Sequence, residues 1–315
     1  MRTVAPSASR PLRSSPAVPD PSPLVLAVAL TKGGTGKTTT AANLAAELAS
    51  LFHGRSDGRR VLLVDADPQD QLAGALGADA AARASSPGLS GVLAAPEAER
   101  ATRAGAAVVV DVRPGLDVCP AGPDLATEAA RLGADPAAGL LAVGDAVEAL
   151  AAASGGDAPP LVVVDVPPGW GPLALGVLAA SDVVLAPVSL QPLALQALGT
   201  FVGHLGGVQR TRQRFGGERL PLLLGIVPTM YDARPVAHGQ VLEAIRAAAS
   251  DIDRGDGEAP GVADPVPQSV RVQEAAALGR TVAEHARAGH PSAVAYAALA
   301  ERVAADLDLI PQTTP

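Results

Sequence analysis

One turn, Thr31-Lys32-Gly33-Gly34-Thr35-Gly36-Lys37-Thr38-Thr39, constrains this chain more than any other stretch. Of its 24 basic residues only two are lysines, and both stand in that turn. An ammonium is a compact point charge that fits among anionic oxygens, whereas a guanidinium is a broad planar fork. The glycines remove Cβ atoms, so backbone N–H groups can close around an anion. Before the turn, Leu24-Val25-Leu26-Ala27-Val28-Ala29-Leu30 reads as a buried strand. After it, Thr38 to Leu51 reads as a helix, with Leu44, Leu48 and Leu51 at helical spacing. Strand, glycine turn and helix start together make a phosphate-binding loop. In that frame Lys37 reaches the β- and γ-phosphates, Thr38 offers its hydroxyl to Mg²⁺, and Gly33, Gly34, Thr35, Gly36 and Thr39 line the cradle.

Composition bounds the rest. A 48% hydrophobic content with 2% aromatics predicts a core of Leu, Val and Ala with close helix–sheet approach. The net charge of −8 opposes wholesale adhesion to nucleic acid while allowing a local basic face. The single cysteine, Cys119, permits neither an internal disulfide nor a cysteine metal cluster and reads as a buried strand residue. No apolar run is long enough to span a bilayer. Residues 1–23, rich in Pro, Ser and Arg, read as a disordered tail in which Arg2, Arg10 and Arg13 could meet an acidic partner or DNA; residues 311–315 read as a short second tail.

Strand and helix signals alternate between these tails. Strands are expected at Val61–Val64, Val108–Val112, Leu116–Cys119, Leu161–Val164, Val183–Pro187, Leu222–Val227 and Val262–Pro267. Short helices are expected near Val92 and Glu97, and longer ones over Leu140–Ala153, Leu173–Ala180, up to Arg214, Val236–Ala249 and Ser292–Leu307. The expected fold is α/β: a single doubly wound, mainly parallel sheet with helices on both faces, one domain over 24–310.

Two strands end in acids. Val61-Leu62-Leu63-Val64 runs into Asp65-Ala66-Asp67-Pro68-Gln69, and Val162-Val163-Val164 into Asp165-Val166-Pro167-Pro168. Such ends face the carboxyl edge of the sheet, where ligands bind in these folds. A strand-ending Asp also serves as an ordinary turn residue. In a chain that already carries the loop, Asp65 and Asp165 become, with Thr38, the candidate metal-facing groups, Asp165 holding Mg²⁺ through water. Met230 and Pro267 lie at strand ends and could flank a nucleotide base or simply pack their loops.

Several of these segments carry a family resemblance. The loop K-G-G-x-G-K-T has Thr31 where the ordinary motif has its first glycine, and adds Lys32. It resembles the deviant Walker A loop of the ParA/MinD ATPases. Asp65-Ala66-Asp67-Pro68-Gln69 is similar to the D-x-D-P-Q segment of ParA and Soj proteins. Asp165-Val166-Pro167-Pro168-Gly169 is similar to their D-x-P-P-S/G, Gly225 to Arg234 to G-V-x-x-T-M-Y-D-x-R, and Val270 to Ala275 to V-R-L-x-E-A. The chain departs from the pattern with Thr35 for Val, Gln268 for Arg, and Trp170 at an aliphatic position. The resemblance implies an ATPase in which Lys32 reaches across a homodimer to the partner's phosphates and Asp67 activates the attacking water. It further implies non-specific DNA binding, stimulation by a ParB-like centromere-binding protein, and a cytoplasmic, nucleoid-associated location.

Read from residues alone, Arg210, Arg212 and Arg214 form either a phosphate-binding patch or a solvated helix end. The resemblance favours DNA and points first to Arg271, then to that cluster. Positioning of another cargo, as by MinD at a membrane, is the rival within the fold. It lacks its basic amphipathic terminus, because nothing basic follows Arg302. A metabolic P-loop enzyme such as an amidoligase is the rival outside it.

Overall fold

The computed structural model describes residues 22–156, 158–214 and 219–310. The expectations for Arg2, Arg10, Arg13 and residues 311–315 fall outside that range. Eight strands are described: β1 (Leu24–Val28), β2 (Val61–Asp65), β3 (Val109–Arg113), β4 (Leu116–Cys119), β5 (Leu161–Asp165), β6 (Val183–Ser189), β7 (Leu222–Thr229) and β8 (Gly261–Val262). They form one sheet in the order β3-β4-β2-β5-β1-β6-β7-β8, parallel throughout except for the antiparallel β3–β4 pair. The helices before β5 are α1 (Lys37–Phe52), α2 (Leu72–Ala75), α3 (Ala80–Ser85), α4 (Gly88–Ala94), α5 (Glu97–Ala107), α6 (Leu125–Ala134) and α7 (Pro136–Ala153). Those after it are α8 (Pro172–Ala180), α9 (Ala194–Arg214), α10 (Val236–Ala249), α11 (Val270–Ala277), α12 (Val282–His285) and α13 (Pro291–Asp306).

Alternation along each strand sorts the core into two layers. Val25 and Ala27 of β1 join Leu62, Val64, Val162 and Val164 under α7, α8 and α9. Leu26 and Val28 join Val61, Leu63, Leu161 and Val163 against α1 and α13, where Phe52 and Tyr296 are fully buried. Strands buried on both faces must be apolar at nearly every position, which explains the unbroken Leu/Val runs. An ion pair fastens the amino edge: the buried Asp117 of β4 accepts from Arg60 Nε at 3.0 Å and from the Ser154 hydroxyl, at the end of α7, at 2.7 Å.

The structure differs from expectation in several places. The helix expected from Leu140 begins at Pro136, because Asp135 accepts from Ala138 N–H and proline fits the first helical position. Helix α6 precedes it. Helices α2, α3, α11 and α12 stand where no helix is expected, although Thr281 and Glu284 carry the capping-box spacing that opens α12. The last strand shrinks to Gly261–Val262, and only the Tyr231–Pro267 bridge continues it.

Candidate functional site

The glycine turn joins β1 to α1 at the carboxyl edge. Gly36 is the N-cap of α1 with φ +86°, a left-handed conformation that a side chain would strain. No side chain caps α1 and its first turn holds no acid, so its amides are available to an anion. A Cβ at Gly33 or Gly34 would meet nothing within 4 Å, so the cradle is open above its backbone. Across it, the Thr229 hydroxyl donates to the Thr35 carbonyl at 2.8 Å, tying the loop to the end of β7.

The two lysines sit in different worlds. Lys37 is only 7% exposed, and its ammonium donates to the Lys32 carbonyl at 3.2 Å. Burial lowers its pKa, and the charges of Asp165 and Asp67 oppose that shift. Lys32 is exposed, and its ammonium reaches away to Gln191 Oε1, 3.3 Å off, beyond β6.

Asp65 and Asp165 are paired in register on adjacent strands and both are buried. Burial, then the neighbouring Asp165 charge, pushes Asp65 well above the carboxylate range. Burial also raises Asp165, opposed by the Thr38 hydroxyl and the Lys37 ammonium. Their hydrogen bonding differs. Asp65 accepts from Asp67 N–H at 2.9 Å and from Leu72 N–H at 3.0 Å, which folds the turn bearing Asp67. Neither oxygen of Asp165 accepts a well-formed hydrogen bond. A buried, orphaned carboxylate beside a threonine hydroxyl fits a hard cation. Asp165 and Thr38 therefore suit Mg²⁺ better than Asp65, whose oxygens are engaged in the turn. Asp67 is half-buried on that turn, and its Oδ1 accepts from Gln69 N–H.

Met230 has φ +56°, unusual for a side chain of its size. It stands beside the Tyr231–Pro267 bridge, so Met230 and Pro267 occupy adjoining loops at the carboxyl edge. Trp170 follows the Asp165 segment, whose Gly169 N–H donates to the Thr31 carbonyl at 3.0 Å. Its ring stacks on His204 at 4.2 Å and on Phe201 at 5.6 Å between centroids.

The arginines separate. Helix α9 runs back to the amino edge, where Arg212 donates to the Ser181 carbonyl at 3.3 Å next to Asp182. Arg210 and Arg214 are exposed at that far end. Arg271, at the start of α11, is exposed, pairs with Glu274 at 2.8 Å, and lies just beyond the Gln268–Tyr231 hydrogen bond at the carboxyl edge. Sequence reasoning missed Gln191, which carries no motif, and left Thr229 without a role although it stands inside the recognised T-M-Y-D segment.

A glycine cradle at a helix start, a buried lysine and an orphaned acid on the next strand, all at the carboxyl edge of a doubly wound sheet, define a P-loop nucleotide hydrolase. The comparisons agree. The family model described as "AAA domain" matches residues 24–215. The chain is 36% identical over 280 residues to the chromosome-partitioning ATPase Soj of Thermus thermophilus, covering 89% of this chain and 95% of that one. It is 37% identical over 267 residues to the chromosome partitioning protein ParA of Caulobacter vibrioides, covering 82% and 85%. Among solved structures, a Mycobacterium smegmatis cobyrinic acid a,c-diamide synthase with bound ATP analogue and magnesium superposes with TM-score 0.64 at 31% identity, covering 89% and 93%. The chain belongs to the ParA/Soj/MinD family of P-loop ATPases with the deviant Walker A loop.

Proposed function

We propose that the protein is a ParA-type ATPase that partitions a chromosome or plasmid. The observation that carries this is the split between Lys37, buried in its own loop, and Lys32, exposed on the same loop with its ammonium bonded to Gln191 instead of folded into the cradle. Lys37 neutralises the phosphates of its own ATP, while Lys32 serves the nucleotide of a second copy closing face to face. Mg²⁺, held by Thr38 and Asp165, would neutralise charge between the β- and γ-phosphates. Asp67 orients water for in-line attack, with positioning and electrostatics supplying most of the rate.

The dimer binds DNA non-specifically through Arg271. A face-to-face pair brings both copies of the carboxyl edge together, so its two Arg271 residues approach one another. The Arg210–Arg214 ends point outward and apart, which makes them the weaker candidate. The partitioning relatives support a ParB-like partner that speeds hydrolysis and releases the dimer, on the nucleoid within the cytoplasm. Met230 and Pro267 flank the base in this reading.

Light scattering with and without a slowly hydrolysed ATP analogue tests the reading. Wild type should double in mass. Lys32→Ala should bind the analogue and stay monomeric. A Lys32→Ala protein that doubles normally would overturn it. The likeness to a cobyrinic acid amidating enzyme favours a second reading, in which the same loop activates a carboxylate for amide formation. Phosphate release from ATP without any acceptor, accelerated by DNA and partner, separates the first from the second.

A further inference from the structure

The far end of α11 is fastened to the end of α2, the helix that follows the Asp67 turn, by one side chain and by close backbone packing. The guanidinium of Arg113, on the edge strand β3, grips Glu284 of α12 with two bonds of 2.7 Å. The same group donates to the Leu76 carbonyl, just past α2, at 2.7 Å and to the Gly279 carbonyl, just past α11, at 3.3 Å. Below this clasp Gly77 and Gly279, with φ of +65° and +66°, press backbone to backbone: a Cβ on Gly77 would lie 2.6 Å from the Gly279 carbonyl oxygen. Helix α2 opens at Leu72, whose N–H is bonded to Asp65. A second tether starts in the phosphate loop's own helix. Asn43 of α1 donates to the Thr39 carbonyl at 2.8 Å and accepts from Val282 N–H, at the start of α12, at 2.9 Å. Glu284 is itself fixed, because its Oε2 accepts from Thr281 N–H at 2.7 Å in a capping box.

Arg271 thus opens a helix whose other end is clamped to the end of α2, which follows the turn bearing Asp67, and leads into α12, which is tied to α1, the helix bearing Thr38. We propose that Arg113 and Glu284 are positioning residues that couple the Arg271 face to the hydrolytic turn, so that a polyanion held on α11 changes the turnover of ATP at Asp67. The proposal rests on the reading of α11 as a DNA contact. Arg113 spends its guanidinium on Glu284, Leu76 and Gly279, outside the phosphate loop. A bidentate clasp on a carboxylate with two further carbonyls needs the planar fork of arginine, and lysine cannot reproduce it. Coupling of this kind is reciprocal for binding, so DNA should also shift the affinity for ATP, and a coupling of about fivefold or more is ordinary in magnitude.

The test measures ATP turnover and ATP-analogue affinity, each with and without non-specific duplex DNA, for wild type, Arg113→Lys, Glu284→Gln and Arg271→Ala. Glu284→Gln keeps an oxygen for Thr281 N–H, so the cap survives while the ionic clasp is lost. Wild type should show a DNA-dependent change in both quantities. Arg113→Lys and Glu284→Gln should keep basal turnover, ATP-dependent mass doubling and DNA affinity within about twofold, while the ratio with to without DNA falls toward one. The double variant should lose no more than either single one, as expected for one shared interaction. A simple structural role would lower basal turnover and leave the ratio alone. An unchanged ratio in both clasp variants, with Arg271→Ala impaired in DNA binding, would overturn the coupling and spare the DNA reading. Unimpaired DNA binding by Arg271→Ala would overturn both, and so would wild-type turnover and affinity indifferent to DNA overturn the coupling.

Discussion

Lys32 and Lys37 lie within one turn yet one is buried and the other exposed, and that difference separates their expected phenotypes. Lys37→Ala removes a charged donor from the phosphates, so ATP-analogue affinity should fall by about 3 kcal/mol, roughly a hundredfold, in equilibrium titration. Asp67→Ala should retain the nucleotide and the dimer while turnover drops by about 10² to 10³, read by phosphate release. Wild-type turnover in that variant would remove Asp67 from the reaction. Asp65 is different again. Both of its oxygens hold backbone N–H groups of the turn bearing Asp67, so Asp65→Asn should disturb the geometry of the turn before it disturbs metal affinity.

Elements are joined here by a few demanding contacts. Burial alone would raise the pKa of Asp117, but its bonds to Arg60, Ser154 and Asp111 N–H together hold it below the ordinary carboxylate range. A depressed folded pKa contributes stability that is present above the unfolded value, about 3.9, and is lost as pH falls through the folded one. Asp117→Asn should therefore destabilise β4 and α7 by about 1 to 3 kcal/mol at neutral pH, because Arg60 is left with only the exposed Asp111 as its charged partner. The gap to wild type should narrow in urea titrations below about pH 4. Gly77→Ala forces both a left-handed residue and a backbone collision, and should cost about 1 to 3 kcal/mol. Gly105→Ala in α5, where a Cβ would meet nothing within 4 Å, should instead gain up to about 1 kcal/mol. The same contrast explains what could be read in advance. The central strands and α1 announce themselves by apolar period and by the glycine loop. Helices α11 and α12 say less: apart from the Thr281–Glu284 cap, α12 is held by Asn43 and Arg113, 239 and 171 residues distant in sequence. The structural role of Arg212 is hidden for the same reason, its partner carbonyl lying 31 residues upstream.

Across the whole molecule the sheet divides labour between its edges: phosphate loop, acids and Arg271 at the carboxyl edge, Arg210 to Arg214 at the amino edge. Non-specific affinity measured against salt should show it. Arg271→Ala should flatten the log–log slope by about one unit per subunit. Arg212→Ala should leave the slope unchanged and lower thermal stability, because its guanidinium is already bound at Ser181. The fold and the loop were legible in the sequence, whereas which arginines share an edge with the nucleotide was not, because that follows from the direction of α9 and the crossing of α11. One further property comes from the stack of Trp170 on His204 and Phe201. This is the chain's only tryptophan, and it follows directly on a segment bonded to the phosphate loop. Ultraviolet emission excited at the indole band therefore originates at a single place, a few residues from Asp165. The molecule carries its own optical gauge of that segment, and a stopped-flow trace on unlabelled protein should time its rearrangement when ATP arrives.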